Sequence, residues 1–247
     1  MYNECLIDEC AYLFPSLVCV CFHWLKVFFY FLLSIVSYKG YRIKTYQDDE
    51  PDNPRDWDNL GKIFYGHKRY VLGEVDVRKE FEDCYSWDDV EKRIIELYDP
   101  LVILPLYLYD HGILRIKIGD FYDSQLPQGY AHFDTGMVGF VIAERDKVRK
   151  EYGVQRISKK LREQVKQILE DEIDVFDKYL SGQVYAYVIE GDGYACSGFY
   201  DYDEMVKYAK EQIDAEIEKE RRDRQAKLKT LIKNSVHLDK RQAILIS

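Results

Sequence analysis

Three apolar segments in the middle of the chain follow the pattern of consecutive strands. Leu101–Tyr109 is apolar without interruption and is too short to span a membrane, which predicts a strand buried on both faces. Asp110–Gly112 has the composition of a turn. Ile113–Ile118 alternates apolar and polar residues with a period of two, and Met137–Ala143 is again apolar. These segments predict the core of a sheet.

Other stretches place apolar residues every three or four positions, as amphipathic helices do. One such helix follows Ser86, a favourable N-cap residue, and a short one spans Arg145–Tyr152. A long helix is predicted over Ser158–Leu180, and a charged one begins near Asp203. The sequence therefore predicts an α+β fold with a mostly antiparallel sheet. A long amphipathic helix packs on this sheet, and a charged helix follows at the C-terminus.

Shorter β-like segments surround these elements. They are Tyr41–Tyr46, Lys62–Tyr65, Arg69–Leu72 and a hairpin formed by Gln183–Ile189 with Tyr194–Tyr200. Together the patterns indicate three parts: an apolar N-terminal segment (residues 1–38), an α+β core domain (residues 39–202), and a charged helix with its tail (residues 203–247).

The N-terminal segment has three interpretations. Residues 17–36 are almost wholly apolar, interrupted by His23, Lys26 and Ser34, and twenty helical residues cross a hydrocarbon core of about 30 Å. The segment is then a transmembrane helix, with the C-terminal body in the cytoplasm according to the flanking charges. Alternatively it is upstream sequence included by an over-called start, or an ordinary buried helix. A membrane partner is expected only if residues 17–36 form a genuine helix.

Charge and cysteine usage narrow the classes of function. The net charge is −9 and the pI is about 5.2, which disfavours general nucleic-acid binding because an acidic chain gains nothing from counterion release. Four of the six cysteines precede residue 22, and the remainder of the chain contains no CxxC pair. This usage disfavours a disulfide framework or zinc site and indicates a reduced, cytoplasmic protein.

An acidic stretch at residues 48–58 contains six carboxylates and one tryptophan, Trp57. The carboxylates do not have EF-hand spacing, so we predict a solvated loop rather than a calcium site. Trp57 is either packed into the core or presented to a partner. Trp57 and its neighbour Asp58 are therefore candidate binding residues.

Catalytic chemistry has one candidate location. Asp110 and His111 end the buried strand, while His132 and Asp134 precede the third strand. Such side chains suit a divalent metal, and an Asp–His pair suits general-base catalysis, although Asp-His-Gly is also ordinary turn composition. No phosphate-binding loop, dinucleotide fingerprint or nucleophile elbow is present in the sequence. No metal ligand or cofactor is assigned.

Several motifs together resemble a family of small phage- and prophage-encoded proteins. They are Asn53-Pro-Arg-Asp-Trp-Asp-Asn-Leu-Gly61, His67-Lys-Arg-Tyr-Val-Leu-Gly73, Leu104-Pro-Leu-Tyr-Leu-Tyr-Asp-His-Gly112, Phe133-Asp-Thr-Gly-Met-Val-Gly139, Arg156-Ile-Ser-Lys-Lys-Leu-Arg162 and Cys196-Ser-Gly-Phe-Tyr200. The resemblance covers about Tyr41 to Tyr200 and implies a viral or prophage origin but no particular activity. In that family Asp134 usually follows Trp rather than Phe133, and position 132 is not regularly a histidine.

The leading hypothesis is a cytoplasmic, virus- or prophage-encoded accessory protein that binds a host protein through Trp57, Asp58 and His67. The alternative is a metal-dependent hydrolase acting on a nucleotide or phosphodiester, with Asp110, His111 and Asp134 as ligands or base. If residues 17–36 form a helix, a third hypothesis is a single-pass membrane protein with its C-terminal domain in the cytoplasm.

Overall fold

The computed structural model describes residues 32–119, 134–191 and 193–235. These residues form nine strands, five α-helices and one short 3₁₀ helix. In chain order they are β1 (Leu32–Tyr38), β2 (Tyr41–Gln47), the 3₁₀ helix (Pro54–Asp56), β3 (Lys62–Tyr65), β4 (Val75–Asp76), α1 (Val77–Glu80), α2 (Trp87–Tyr98), β5 (Pro100–His111), β6 (Ile113–Ile118), β7 (Thr135–Glu144), α3 (Arg145–Tyr152), α4 (Lys159–Leu180), β8 (Tyr185–Ile189), β9 (Ala195–Phe199) and α5 (Tyr202–Ser235). The predicted α+β class is confirmed.

The chain divides into two compact units. The central unit is Asp48–Val184, and the terminal unit combines Met1–Gln47 with Tyr185–Ser247. This division differs from the predicted core domain of residues 39–202. The reason is that β2 pairs with β8, so the two ends of that predicted domain join each other in a separate sheet.

The central unit has three layers, with helices on both faces of a five-stranded sheet. The strand order is β4-β3-β7-β5-β6, and all neighbours are antiparallel except β3 and β4. The central strand β7 is buried continuously from Val138 to Ala143, and its alternate side chains enter different cores. Val141 packs in the core formed with α4, whereas Phe140 and Ile142 pack with residues of α1 and α2. The predicted packing of the long amphipathic helix on a sheet is therefore confirmed.

The terminal unit is a four-stranded antiparallel sheet in the order β1-β2-β8-β9. Its core is made by Ile43, Tyr187 and Ile189 of the sheet together with the first part of α5. The buried residues of α5 are Met205, Val206, Ala209 and Ile213. Beyond them the helix is almost entirely exposed.

The end of the predicted N-terminal helix is a strand instead. Leu32–Tyr38 pairs with β2, with Val36 opposite Ile43. Lys39 and Gly40 connect the two strands and have φ of 48° and 87°, as a two-residue hairpin turn requires. Among the described residues, no helix has the length and apolar character needed to cross a bilayer. Residues 17–31 of the predicted helix lie outside the described residues.

The predicted helix starts are confirmed by their caps. The Ser86 hydroxyl accepts the backbone N–H of Asp89 at 3.2 Å, and the Ser158 hydroxyl accepts that of Leu161 at 3.1 Å. Each bond satisfies one of the backbone donors that a helix leaves unpaired at its N-terminus.

Two local predictions are wrong. Arg69–Leu72 is not a strand, because the His67 ring accepts the backbone N–H groups of Arg69 and Tyr70 and holds this segment in a turn. Asp110 and His111 do not form a turn but continue β5, and Gly112 alone, with φ of 74°, separates the paired residues His111 and Ile113.

Asp177 of α4 fastens the edge strand β6 to the central unit. Its carboxylate accepts both Nε (2.9 Å) and Nη2 (2.7 Å) of Arg115, and also the backbone N–H of Ile116 at 2.8 Å. The Asp177 carboxylate thus satisfies the Ile116 N–H at the open edge of the sheet. Unpaired backbone donors at such an edge can pair with strands of other chains.

We expect Asp177→Ala to lower the free energy of unfolding of the central unit by about 2–3 kcal/mol, since charge-assisted hydrogen bonds are lost and the Ile116 donor is left unsatisfied. Urea denaturation measures this change. The control is Asp174→Ala on the same helix, which removes an exposed pair with Lys178 and a more distant negative charge near Arg115 and should cost less than about 0.5 kcal/mol. Equal losses for both variants would contradict this role of Asp177.

Candidate functional site

The predicted catalytic residues lie at one end of β5 but belong to two separate groups. Asp110 accepts a hydrogen bond from the Tyr70 hydroxyl at 3.3 Å and forms an ion pair with Arg69. Nδ1 of His111 lies 3.4 Å from Oδ2 of Asp134. Consecutive strand residues point to opposite faces of a sheet, and Asp110 and His111 accordingly contact different residues.

His67, predicted as a binding residue, lies beside the Asp110 group. Its ring stacks on Tyr70 with 4.9 Å between the ring centroids. Nδ1 accepts the N–H groups of Arg69 and Tyr70 at 3.3 Å and 3.2 Å, so the neutral ring carries its proton on Nε2. Burial lowers the pKa of His67 below its ordinary value of 6.5, against the opposing effect of Asp110. The structure therefore gives His67 a role in shaping the turn at Arg69–Leu72.

The described part of the chain contains no cluster of ligands that would support the metal hypothesis. No group of three His, Cys, Asp or Glu side chains there is arranged to hold a metal ion. His132 lies outside the described residues. The Asp110 carboxylate, a required ligand or base in the hydrolase hypothesis, is occupied by the Arg69 guanidinium.

A second group of residues supports the loop Asn53–Gly61, which we call the Trp57 loop. At its base the Arg55 side chain is only 5% exposed. Nη2 of Arg55 donates to the carbonyl of Gly61 at 2.8 Å and to Oε1 of Glu74 at 2.5 Å, and Nε donates to the same Glu74 oxygen at 3.0 Å. The guanidinium thereby connects the start of the loop to its end.

Glu172 of α4 holds the end of the same loop. Its carboxylate accepts the backbone N–H groups of Leu60 at 2.6 Å and Gly61 at 2.9 Å, and Oε2 lies 3.8 Å from Nη1 of Arg55. Burial raises the pKa of Glu172, while these two hydrogen bonds and the Arg55 charge oppose the rise. Nη1 is itself buried and has no hydrogen-bond partner in the described residues. The Arg55 charge is shared between two carboxylates, those of Glu74 and Glu172.

The loop is also held by its own side chains. The Asn53 side chain accepts the N–H of Arg55 at 3.0 Å. The Asn59 amide donates to the carbonyls of Pro54 at 2.8 Å and Trp57 at 3.1 Å. These bonds define the backbone on both sides of Trp57, so the loop has an ordered conformation before any partner arrives.

This ordered loop presents Trp57 and Asp58 at the surface. Trp57 is 49% exposed, and Asp56 and Asp58 on either side of it are exposed as well. Beside them lies a depression of about 320 Å³ whose lining includes Lys62, Glu144 and Lys147. Of the two interpretations of Trp57, the structure favours presentation over burial in the core.

Sequence reasoning identified Trp57 and Asp58 but missed the residues that hold them. Arg55 lies in the quoted Asn53–Gly61 motif, yet its ion-pair partners, Glu74 and Glu172, lie outside that motif. The available signals were an arginine inside an otherwise acidic stretch and an acidic residue, Glu172, next to the apolar stripe of α4. Neither signal identifies its partner.

Comparisons with models of protein families, with curated proteins and with solved structures found no match. The interpretation of the Trp57 loop therefore depends on its geometry and chemistry.

Proposed function

We propose that this chain is a virus- or prophage-encoded accessory protein of the host cytoplasm that binds a host protein through the Trp57 loop. The observation that carries this proposal is a half-exposed tryptophan on a loop fastened at both ends by the side chains of Arg55 and Glu172. Tryptophan is among the residues that dominate binding energy at protein interfaces. A loop ordered in advance loses less conformational entropy on binding.

The chemistry of the loop suits a basic partner surface. Asp56 and Asp58 flank Trp57, are exposed, and make no ion pair with any described residue. Their carboxylates attract lysine and arginine side chains, and an arginine can also stack on the indole face. The net charge of −9 adds a long-range attraction towards such a surface.

The resemblance to phage- and prophage-encoded proteins supports a host protein as the class of partner. Such proteins act inside a cell whose components they do not encode, and a compact binding surface needs no catalytic group. No described cluster of side chains gives comparable support to the hydrolase alternative.

The test is affinity purification of the tagged full-length chain from cells of the natural host, with quantitative mass spectrometry. We expect one protein to co-purify in stoichiometric amount and Trp57→Ala to reduce its retention about thirtyfold, which corresponds to a hot-spot loss of about 2 kcal/mol. Asp56→Asn with Asp58→Asn should weaken retention and reduce its dependence on salt.

Tyr85→Ala is the matched control, because Tyr85 is another exposed aromatic residue of the central unit, 93% exposed. Retention should be unchanged in this variant. If Trp57→Ala retains the same proteins in the same amounts as Tyr85→Ala, the Trp57 loop is not the binding surface and the proposal is wrong.

A further inference from the structure

The helix α5 has an acidic segment followed by a basic one. From Glu211 to Glu220 the sequence contains five acidic residues and one lysine, whereas from Arg221 to Lys233 it contains six basic residues and one aspartate. We call these the acidic segment and the basic segment. They are consecutive in one helix that spans Tyr202–Ser235.

Most of these charges have no partner within the described residues. In the acidic segment, Asp214 pairs with Lys39 and Glu216 with Lys219. Further along the helix the only ion pair of the described residues joins Glu218 to Arg221 at 3.5 Å. The carboxylate of Glu220 and the side chains of the basic segment beyond Arg221 therefore remain available for pairing.

The basic segment also exposes apolar side chains. Leu228 is 51% exposed and Leu231 is 61% exposed, and both lie on the helix stripe that continues from Ile217 through Arg221 and Arg224 by steps of three or four residues. Two leucines on one stripe gain no burial free energy at a solvated helix end, whereas a partner helix would cover them.

We propose that two copies of this chain associate by antiparallel pairing of their α5 helices. Only this orientation places the acidic segment of each copy against the basic segment of the other. A parallel pair would bring like charges together, which opposes association. The resulting contact is isologous, because each copy contributes the same surface and the pair closes with twofold symmetry.

The side chains on the shared stripe suit this arrangement. Leu228 and Leu231 of one copy cover the helix of the other near the point where Ile217 leaves the core of the terminal unit. The long side chains of Arg221 and Arg224 can place their apolar stems along the contact and extend their guanidinium groups to the acidic segment of the second copy. The pairing combines a modest apolar contact with several ion pairs, so it is salt-dependent.

Sedimentation equilibrium of the full-length chain tests the proposal. We expect a reversible dimer at low salt that dissociates at about 1 M salt, where charges are screened within about 3 Å. Glu218→Lys with Glu220→Lys should weaken self-association at least about tenfold, and so should Arg224→Glu with Lys227→Glu. These positions are exposed, so helix content measured by circular dichroism should be unchanged.

Combining the two charge-reversed variants tests whether the acidic segment of one copy contacts the basic segment of the other. A mixture of the acid-reversed and base-reversed chains should form a heterodimer, and the chain carrying all four substitutions should dimerise again, because in both cases opposite charges face each other across an antiparallel pair. A monomeric wild-type chain at low salt would overturn the proposal. Dimerisation that is indifferent to all of these charge reversals would overturn it equally, since the association would then use another surface.

Discussion

Replacing Arg55 by alanine is expected to lower the free energy of unfolding of the central unit by about 3–5 kcal/mol, as when one partner of a buried ion pair is removed. The variant removes the Arg55 charge from beside the carboxylates of Glu74 and Glu172 and frees the carbonyl of Gly61. Urea denaturation followed by tryptophan fluorescence measures the change. A Trp24→Phe background leaves Trp57 and Trp87, both in the central unit, as reporters.

The penalty for Arg55→Ala should depend on pH in a defined direction. Burial raises the pKa of Glu172 above its ordinary value of 4.5, and Arg55 opposes that rise. Removing Arg55 therefore raises this pKa further. A raised carboxyl pKa contributes stability below about pH 4.5 that is lost as the pH rises through the folded-state value. The variant should consequently be closest to the wild type under acidic conditions and fall further behind towards neutral pH.

Two further variants separate the buried pair from a general effect of losing an arginine. Arg149→Ala removes an exposed arginine whose one ion pair among the described residues is with Asp146 at 3.0 Å, and it should cost less than about 0.5 kcal/mol. Arg55→Ala combined with Glu172→Gln should cost less than the sum of the two single variants, because no buried charge remains unpaired. Strict additivity would show that Arg55 and Glu172 do not act together.

Gly139→Ala is expected to destabilise the central unit by about 4 kcal/mol or more. A Cβ atom at this position would lie 1.9 Å from the carbonyl oxygen of Phe64 and 2.9 Å from its carbonyl carbon. Backbone cannot move aside as a side chain can, so β3 and β7 would have to separate. The core formed with α4 and the core formed with α1 and α2 both include residues of this strand pair. A loss of about 4 kcal/mol is a large fraction of the stability of an ordinary domain.

Gly136→Ala is the control on the same strand, since among the described residues no heavy atom beyond its chain neighbours lies within 4 Å of its Cβ position. It should change stability by less than about 1 kcal/mol. Thermal denaturation of both variants measures the difference. Similar melting temperatures for the two would mean that β7 does not approach β3 as closely as the structure shows.

Local pattern was sufficient for most elements of the central unit. The period of three to four residues from Leu161 to Leu180 identifies a helix, because one of its faces is buried. The apolar run before Asp110 identifies a strand whose residues are buried or, as at Ile103 and Tyr107, partly buried. The strand at Leu32–Tyr38 was missed, since it ends an apolar run long enough to resemble a membrane helix. What decides its conformation is pairing with β2, an interaction that periodicity does not reveal.

Long-range pairing also explains what was missed at the site. Trp57 and Asp58 are conspicuous in the sequence, but the contacts that order their loop come from Glu74 and Glu172, in other parts of the chain. The predicted Asp110, His111 and Asp134 all lie at one end of β5, yet Asp110 pairs with Arg69 and His111 with Asp134. This separation follows from strand alternation and from the turn at His67. The sequence therefore identifies candidate site residues, whereas the long-range contacts that hold and pair them are visible only in the structure.

The division of the terminal unit between the two ends of the chain has a consequence for synthesis. On the ribosome, β1 and β2 emerge first, and β8 follows only after the whole central unit has been translated, a delay on the order of ten seconds at ordinary elongation rates. Within the central unit the N–H of Asp48 bonds the carbonyl of Val184 at 2.8 Å. Folding of this inserted segment therefore brings its ends together and removes most of the loop-closure entropy that would oppose docking of β8 on β2. During this delay β1 and β2 lack their partner strand β8, and Leu32, Leu33 and Ile35, which are exposed even in the folded unit, are open to association with other chains.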